Sequence, residues 1–149
     1  MIAYKSFDYD LLYSFFKEND KIFTRPLSDS LKDQNTTLSE WCQKLCSKST
    51  IAYELFDKEL KGLVIGYTDN LPCDGGGYIT IVATSQNFRK QNVAYRLMNE
   101  YIEYARNKNI SFLWLTTGET NIAARKLYEK CNFELQCIEN RRCKYVLNF

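Results

Sequence analysis

The sequence predicts an α/β (α+β) protein: a mixed sheet with a central parallel strand pair and helices on both faces. Three consecutive segments carry this expectation. The apolar run "YITIVAT" (78–84) precedes a helical stripe that starts at Ala94, and "SFLWLTT" (111–117) follows it. Strand, helix and strand in that order make a βαβ crossover, which places the two strands side by side and parallel. "SFLWLTT" is apolar on consecutive positions, as in a strand covered on both faces.

The other elements follow from pattern and punctuation. Residues 2–7 read as a first strand, and "DYDLLYSFFKEN" as a helix with Leu11, Leu12, Phe15 and Phe16 on one face. "RPLSDS" breaks the chain. Thr37 with Glu40 three residues on is a capping box, so a helix is expected over about 38–48. "TIAYELF", "DKE" and "LKGLVIGYTD" read as strand, turn and strand, rich in Ile, Val, Tyr and Phe. The glycine-rich "LPCDGGG" (71–77) is a loop, either a mobile lip or a plain connector. The crossover helix has its apolar residues at 94, 97, 98, 101, 102 and 105. A further helix starts near Asn121 with Ala124, Leu127, Tyr128 and Cys131 inward, and short strands around "FELQCI" and "CKYVLN" close the chain.

Composition narrows the function. At 149 residues the chain suits one domain, 1–149, with a core that needs no staples. Twenty Lys and Arg against 18 Asp and Glu give a net charge of +2 with no basic stripe, which argues against a nucleic-acid partner. The first residues lack the basic and apolar regions of an export signal, and no run of about 18 apolar residues occurs, so a soluble cytoplasmic protein without a membrane partner is expected, as monomer or homodimer. Six cysteines occur without C-x-x-C spacing and without any histidine; they read as scattered buried thiols, and no metal is expected. The absence of histidine also removes the commonest general base.

"FRKQNVA" (88–94) has the outline of an anion loop at a helix start, without its glycines. A helix start offers about four unpaired N–H groups and roughly half a positive charge. By itself the segment reads more readily as a solvated basic first turn. The second segment is "NIAARKLYEKCNF" (121–133), which has the form N-x-x-A-x-x-L-Y-x-x-x-N-F and lies one strand later.

Together the two segments resemble the GCN5-related N-acetyltransferases (GNAT), whose signature pairs an [RQ]-x-x-G-x-[GA] loop with N-x-x-A-x-x-L-Y-x-x-x-G-F. The resemblance covers 78–133. Arg89, Ala94, Asn121, Ala124, Leu127, Tyr128 and Phe133 match, while Asn92 and Asn132 replace glycines. Asparagine is among the few residues that tolerate a left-handed backbone, and it is the usual second choice after a helix end. At 92 the replacement leaves two outcomes open, a small shift of the loop or a loss of cofactor affinity.

The resemblance implies a mostly antiparallel sheet and acetyl-CoA as acyl donor. It implies that the amides of Arg89, Lys90, Gln91, Asn92, Val93 and Ala94 hold the pyrophosphate. The pantetheine arm would run between splayed strands along the edge of Val82, Ala83 and Thr84, with Asn121 reaching it or capping its own helix. Tyr128, by spacing a core aromatic, would by resemblance protonate the departing thiolate. The implied reaction is transfer of acetyl to a primary amine of a small molecule by direct attack. Acetylation of a protein or peptide, and a non-catalytic acyl-CoA-binding module, are the alternatives.

A lysine-like amine of pKa ~10.4 costs about 4.6 kcal/mol to deprotonate at pH 7, an α-amino group near ~8 only about 1.4. The first needs a base, for which Glu54, Asp69 and Glu119 are candidates; the second can react by positioning alone, with water taking the proton. By resemblance, acceptor contacts are expected from residues 8–48 and the loop before 78. There Arg25 could clamp an anion and Trp41 line a pocket, with Tyr78 and Thr80 on the adjoining strand. A surface arginine and a core tryptophan are the plainer readings.

Overall fold

The computed structural model describes residues 1–23, 25–69 and 75–149. Seven strands form one sheet: β1 (Ile2–Tyr4), β2 (Thr50–Phe56), β3 (Glu59–Tyr67), β4 (Gly76–Thr84), β5 (Phe112–Gly118), β6 (Glu134–Glu139) and β7 (Arg142–Asn148), in the order β1-β2-β3-β4-β5-β7-β6. All neighbours are antiparallel except β4 and β5, the crossover pair. The expected mixed, mostly antiparallel sheet with a central parallel pair is therefore the observed one.

Among the described residues five helices cover it: α1 (Tyr9–Glu18), α2 (Leu27–Asp33), α3 (Leu38–Lys48), α4 (Val93–Arg106) and α5 (Ile122–Lys130). Two apolar clusters result. Phe15, Phe16, Leu27, Leu31 and Leu45 from α1–α3 pack on Ile51, Leu63, Ile65, Ile81 and Ala83. Leu97, Met98, Tyr101, Ile102, Tyr128 and Cys131 from α4 and α5 pack on Val64, Ile79, Leu113, Leu115 and Tyr145. Each fully buried aliphatic side chain contributes about 1.5–3 kcal/mol.

Helix α2 departs from expectation, since "RPLSDS" does more than break the chain. Pro26 is tolerated at a helix start, where an N–H would be unpaired anyway. The carboxylate of Asp20 accepts from the N–H of Ser28 (2.7 Å) and from its hydroxyl (3.0 Å), capping the helix from the preceding loop. The capping box of α3 is half formed: Thr37 Oγ1 accepts from Glu40 N–H, but Glu40 Oε2 accepts from Thr36 Oγ1 instead of reaching back to Thr37.

Three other expectations are adjusted. The strand expected over 2–7 ends at Tyr4. Most of "LPCDGGG", Cys73 included, lies outside the described residues; Gly76 and Gly77 open β4 against Phe112 and Leu113, away from the splayed half of the sheet, so they form no lip. Of the cysteines, Cys42, Cys46, Cys131 and Cys143 are buried free thiols, but Cys137 on edge strand β6 is exposed.

Candidate functional site: a splayed strand pair beneath a helix start

Strands β4 and β5 pair only from Gly76–Tyr78 against Phe112–Trp114. Beyond that they part, because β4 continues beside β3 to Thr84 while β5 follows β7 to Gly118. The gap opens into a cleft of about 1050 Å³, floored by Thr80–Thr84 and Thr116–Gly118 and walled by the start of α4, by α5, and by the α1–α2 segment. An edge of β4 is thus left without a strand on that side.

At the head of the cleft, Lys90 (φ 62°) and Asn92 (φ 58°, ψ 24°) both take the left-handed conformation. Alternation of this kind turns backbone N–H groups into an anion-binding concavity. Asn92 makes no side-chain cap, whereas Asp8, Thr37 and Asn121 cap α1, α3 and α5. Arg96 N–H makes the first helical bond of α4, to Asn92 O at 3.0 Å. The amides of Val93, Ala94 and Tyr95 precede it in the first turn, and all three residues line the cleft head, where a helix start carries about half a positive charge. Asn132 is also left-handed (φ 71°), ending α5.

The loop is braced from behind. Arg96 Nη1 donates to Gln91 O at 2.6 Å, and its Nε and Nη2 donate to Glu54 at 3.2 and 2.8 Å. Gly62 on β3 allows α4 to sit this close: a Cβ there would lie 2.8 Å from Ala83 O and 2.9 Å from Val93 Cγ1.

Tyr128 enters from α5, 7 % exposed, with its ring against Tyr145 (5.9 Å) and Phe133 (6.3 Å). Tyr145 is itself fixed by Arg125 and Glu129, each at 3.0 Å. Burial pushes the Tyr128 hydroxyl up to about 12, opposed by the nearby positive charge of Arg142. It is a neutral O–H donor at any physiological pH.

Of the residues singled out from sequence, Val82, Ala83, Thr84, Arg89, Lys90, Asn92, Val93, Ala94, Asn121 and Tyr128 line the cleft, as do Arg25 and Thr80. The others do not. Gln91 contributes its carbonyl to the brace. Glu54 is tied to Arg96 and to Lys61 (3.2 Å), and those hydrogen bonds hold its carboxyl below the usual range. Asp69 follows the far end of β3 and accepts from Thr50 (2.9 Å), Tyr104 (3.0 Å) and Lys108 (3.1 Å). Glu119 sits just outside, exposed. Trp41 packs edge-on to Phe16 at 4.9 Å, and Tyr78 lies against Trp114 at 4.3 Å. None of the three carboxylate candidates lines the cleft: Glu54 is ion-paired to α4, Asp69 to Lys108 just after that helix, and Glu119 is exposed on the loop before α5.

Sequence reasoning missed Lys126, Lys130 and Arg142, which also line the cleft. The lysines stand four apart on α5, a spacing visible in the sequence. Arg142 carried no such signal, because only the pairing of β7 with β5 brings it to the site.

The family model described as the acetyltransferase (GNAT) family matches residues 12–133, and the chain belongs to that family. No curated protein matches it in sequence. Among solved structures it resembles Ard1 from Thermoplasma volcanium (TM-score 0.73, 15 % identity, covering 99 % of this chain and 96 % of that one). It also resembles a Bacillus subtilis acetyltransferase in complex with CoA (0.63, 18 %, 100 % and 97 %). A chain of the NatC complex bound to Gag peptide and CoA is similar at 0.67 and 21 %, covering 99 % and 98 %.

Proposed function

We propose that the protein moves an acetyl group from acetyl-CoA to a primary amine of a small molecule by direct attack. The observation that carries this reading is the uncapped, left-handed entry to α4 at the head of a cleft between splayed parallel strands. An anionic, extended donor fits both parts. Amides of 93–95 and the side chains of Arg89, Lys90, Lys126 and Lys130 receive its phosphates, and the open edge of Val82–Thr84 receives its amides as an added strand would.

Tyr128 supplies the proton at the other end. As the amine nitrogen bonds to the acyl carbon and the carbon–sulfur bond breaks, the hydroxyl protonates the departing sulfur; the amine's surplus proton leaves to solvent. No Asp or Glu lines the cleft among the described residues, so proton removal falls to water held by the hydroxyls of Thr80, Thr116, Thr117 and Thr120. Such a site favours amines of low pKa.

The likeness to a NatC chain solved with a peptide supports a second reading, in which the amine is a peptide N-terminus. A screen of small amines and short peptides with acetyl-CoA, read as thiol release, tests both. Thiol release with small amines and none with peptides is the expected result; release with peptides alone selects the second reading, and release with neither overturns transfer altogether.

A further inference from the structure

The cleft has more cations than its donor needs. Six basic side chains line it, Arg25, Arg89, Lys90, Lys126, Lys130 and Arg142, without a single carboxylate among the described residues. Four of them stand on the α4 loop and on α5, where phosphates are received. Arg25 is paired with Asp33, so its charge is already answered. Arg142 remains.

Arg142 sits at the start of β7, opposite Gly118 of β5. Its Nη2 donates to Thr116 Oγ1 at 2.8 Å, a neutral partner that orients the guanidinium without neutralising it. No salt bridge joins it to a carboxylate among the described residues. It lies near enough to Tyr128 for its charge to act on that hydroxyl. Strand alternation puts Lys144 on the same face, its Nζ 4.9 Å over the Trp114 ring. A second positive charge thus stands two residues along the same strand.

We propose that Arg142 selects the acceptor: the amine this enzyme acetylates carries its own carboxylate, which the free edge of the Arg142 guanidinium receives while the amine faces Tyr128. The inference rests on the proposed acetyl transfer. A fork of N–H donors matches a carboxylate in two parallel bonds. A cationic amine is repelled by a cleft of this sign, whereas an amino acid enters with no net charge.

The test compares kcat/KM for matched sets: an α-amino acid, its amide, its methyl ester and the decarboxylated amine, with wild type, Arg142→Gln and Arg142→Lys. Acetyl-CoA affinity is measured on each variant. Wild type is expected to prefer the acid by about tenfold or more, mostly through KM. Arg142→Gln should erase that preference with donor affinity unchanged, and Arg142→Lys should restore part of it. Equal use of acid, amide and ester by wild type overturns the inference while leaving acetyl transfer intact. Thiol release from no amine, despite donor binding, overturns both. A fall in donor affinity in Arg142→Gln overturns the inference by returning this arginine to the donor's phosphates.

Discussion

Arg96 on α4 donates to the carbonyl of Gln91 at 2.6 Å, closing the loop 89–92 against the helix that follows it. Glu54 on β2 holds the other edge of the same guanidinium, so strand, helix and loop are joined through one side chain. This brace ties the loop that carries the left-handed turn at Asn92 to the first turn of α4.

If the brace positions the donor, Glu54→Gln should weaken CoA binding less than about fivefold, the scale of a surface ion pair. The fold should survive, since Glu54 is part-exposed. Calorimetric titration with CoA checks it. A loss of turnover with unchanged CoA affinity would instead make Glu54 part of the chemistry.

Asn92 should be replaceable by glycine but not by valine. The position needs φ near 58°, which costs an ordinary L-residue roughly 1–2 kcal/mol and glycine nothing. Asn92→Gly is expected to bind CoA as tightly as wild type or tighter, and Asn92→Val about tenfold or more weaker. Weaker binding by the glycine variant would show that the Asn92 side chain itself touches the donor.

Tyr128→Phe keeps the ring against Tyr145 and Phe133 and removes only the hydroxyl. Turnover should drop by about a hundredfold, with CoA affinity within about twofold. Because burial holds this group at about 12, its ionisation cannot shape the pH profile below about pH 10. A fall in kcat between pH 8 and 10 that disappears in Tyr128→Phe contradicts that placement.

Acid stability should depend on Asp69. Burial raises its pKa, but hydrogen bonds from Lys108, Thr50 and Tyr104 outweigh it, and the net shift is downward. A folded-state pKa below the unfolded value gives stability that is present above about pH 4 and lost as pH falls through the folded value. Urea midpoints between pH 5 and 2 should fall more steeply for wild type than for Asp69→Asn. Parallel slopes would remove Asp69 from the acid transition.

How far the sequence speaks for the fold depends on the element. The crossover 78–117 was readable because its helix stripe and its doubly apolar strand are local signals, and Asn92 and Asn132 announced left-handed turns by residue type. Helix α2 was hidden because Pro26 reads as a breaker unless the cap from Asp20 is known. The head of the cleft at 89–94 lies on consecutive residues and so was visible, whereas Lys126 and Lys130 on α5 were missed. The proposed acceptor end is assembled from β5 and β7, and no local pattern announces Arg142 there; nor does pattern distinguish a catalytic carboxylate from Glu54 or Asp69, which carry ion pairs across elements.

Thermal unfolding with acetyl-CoA, CoA and ATP decides whether this cleft binds acetyl-CoA through the α4 entry. At a hundred times its dissociation constant a ligand of the folded state adds about 2.7 kcal/mol, or about 5–10 °C in Tm for a chain of this size. Acetyl-CoA and CoA are predicted to give that rise in wild type and a smaller one in Asn92→Val, with ATP giving none. A rise with ATP alone, or no rise with any of the three, contradicts the account.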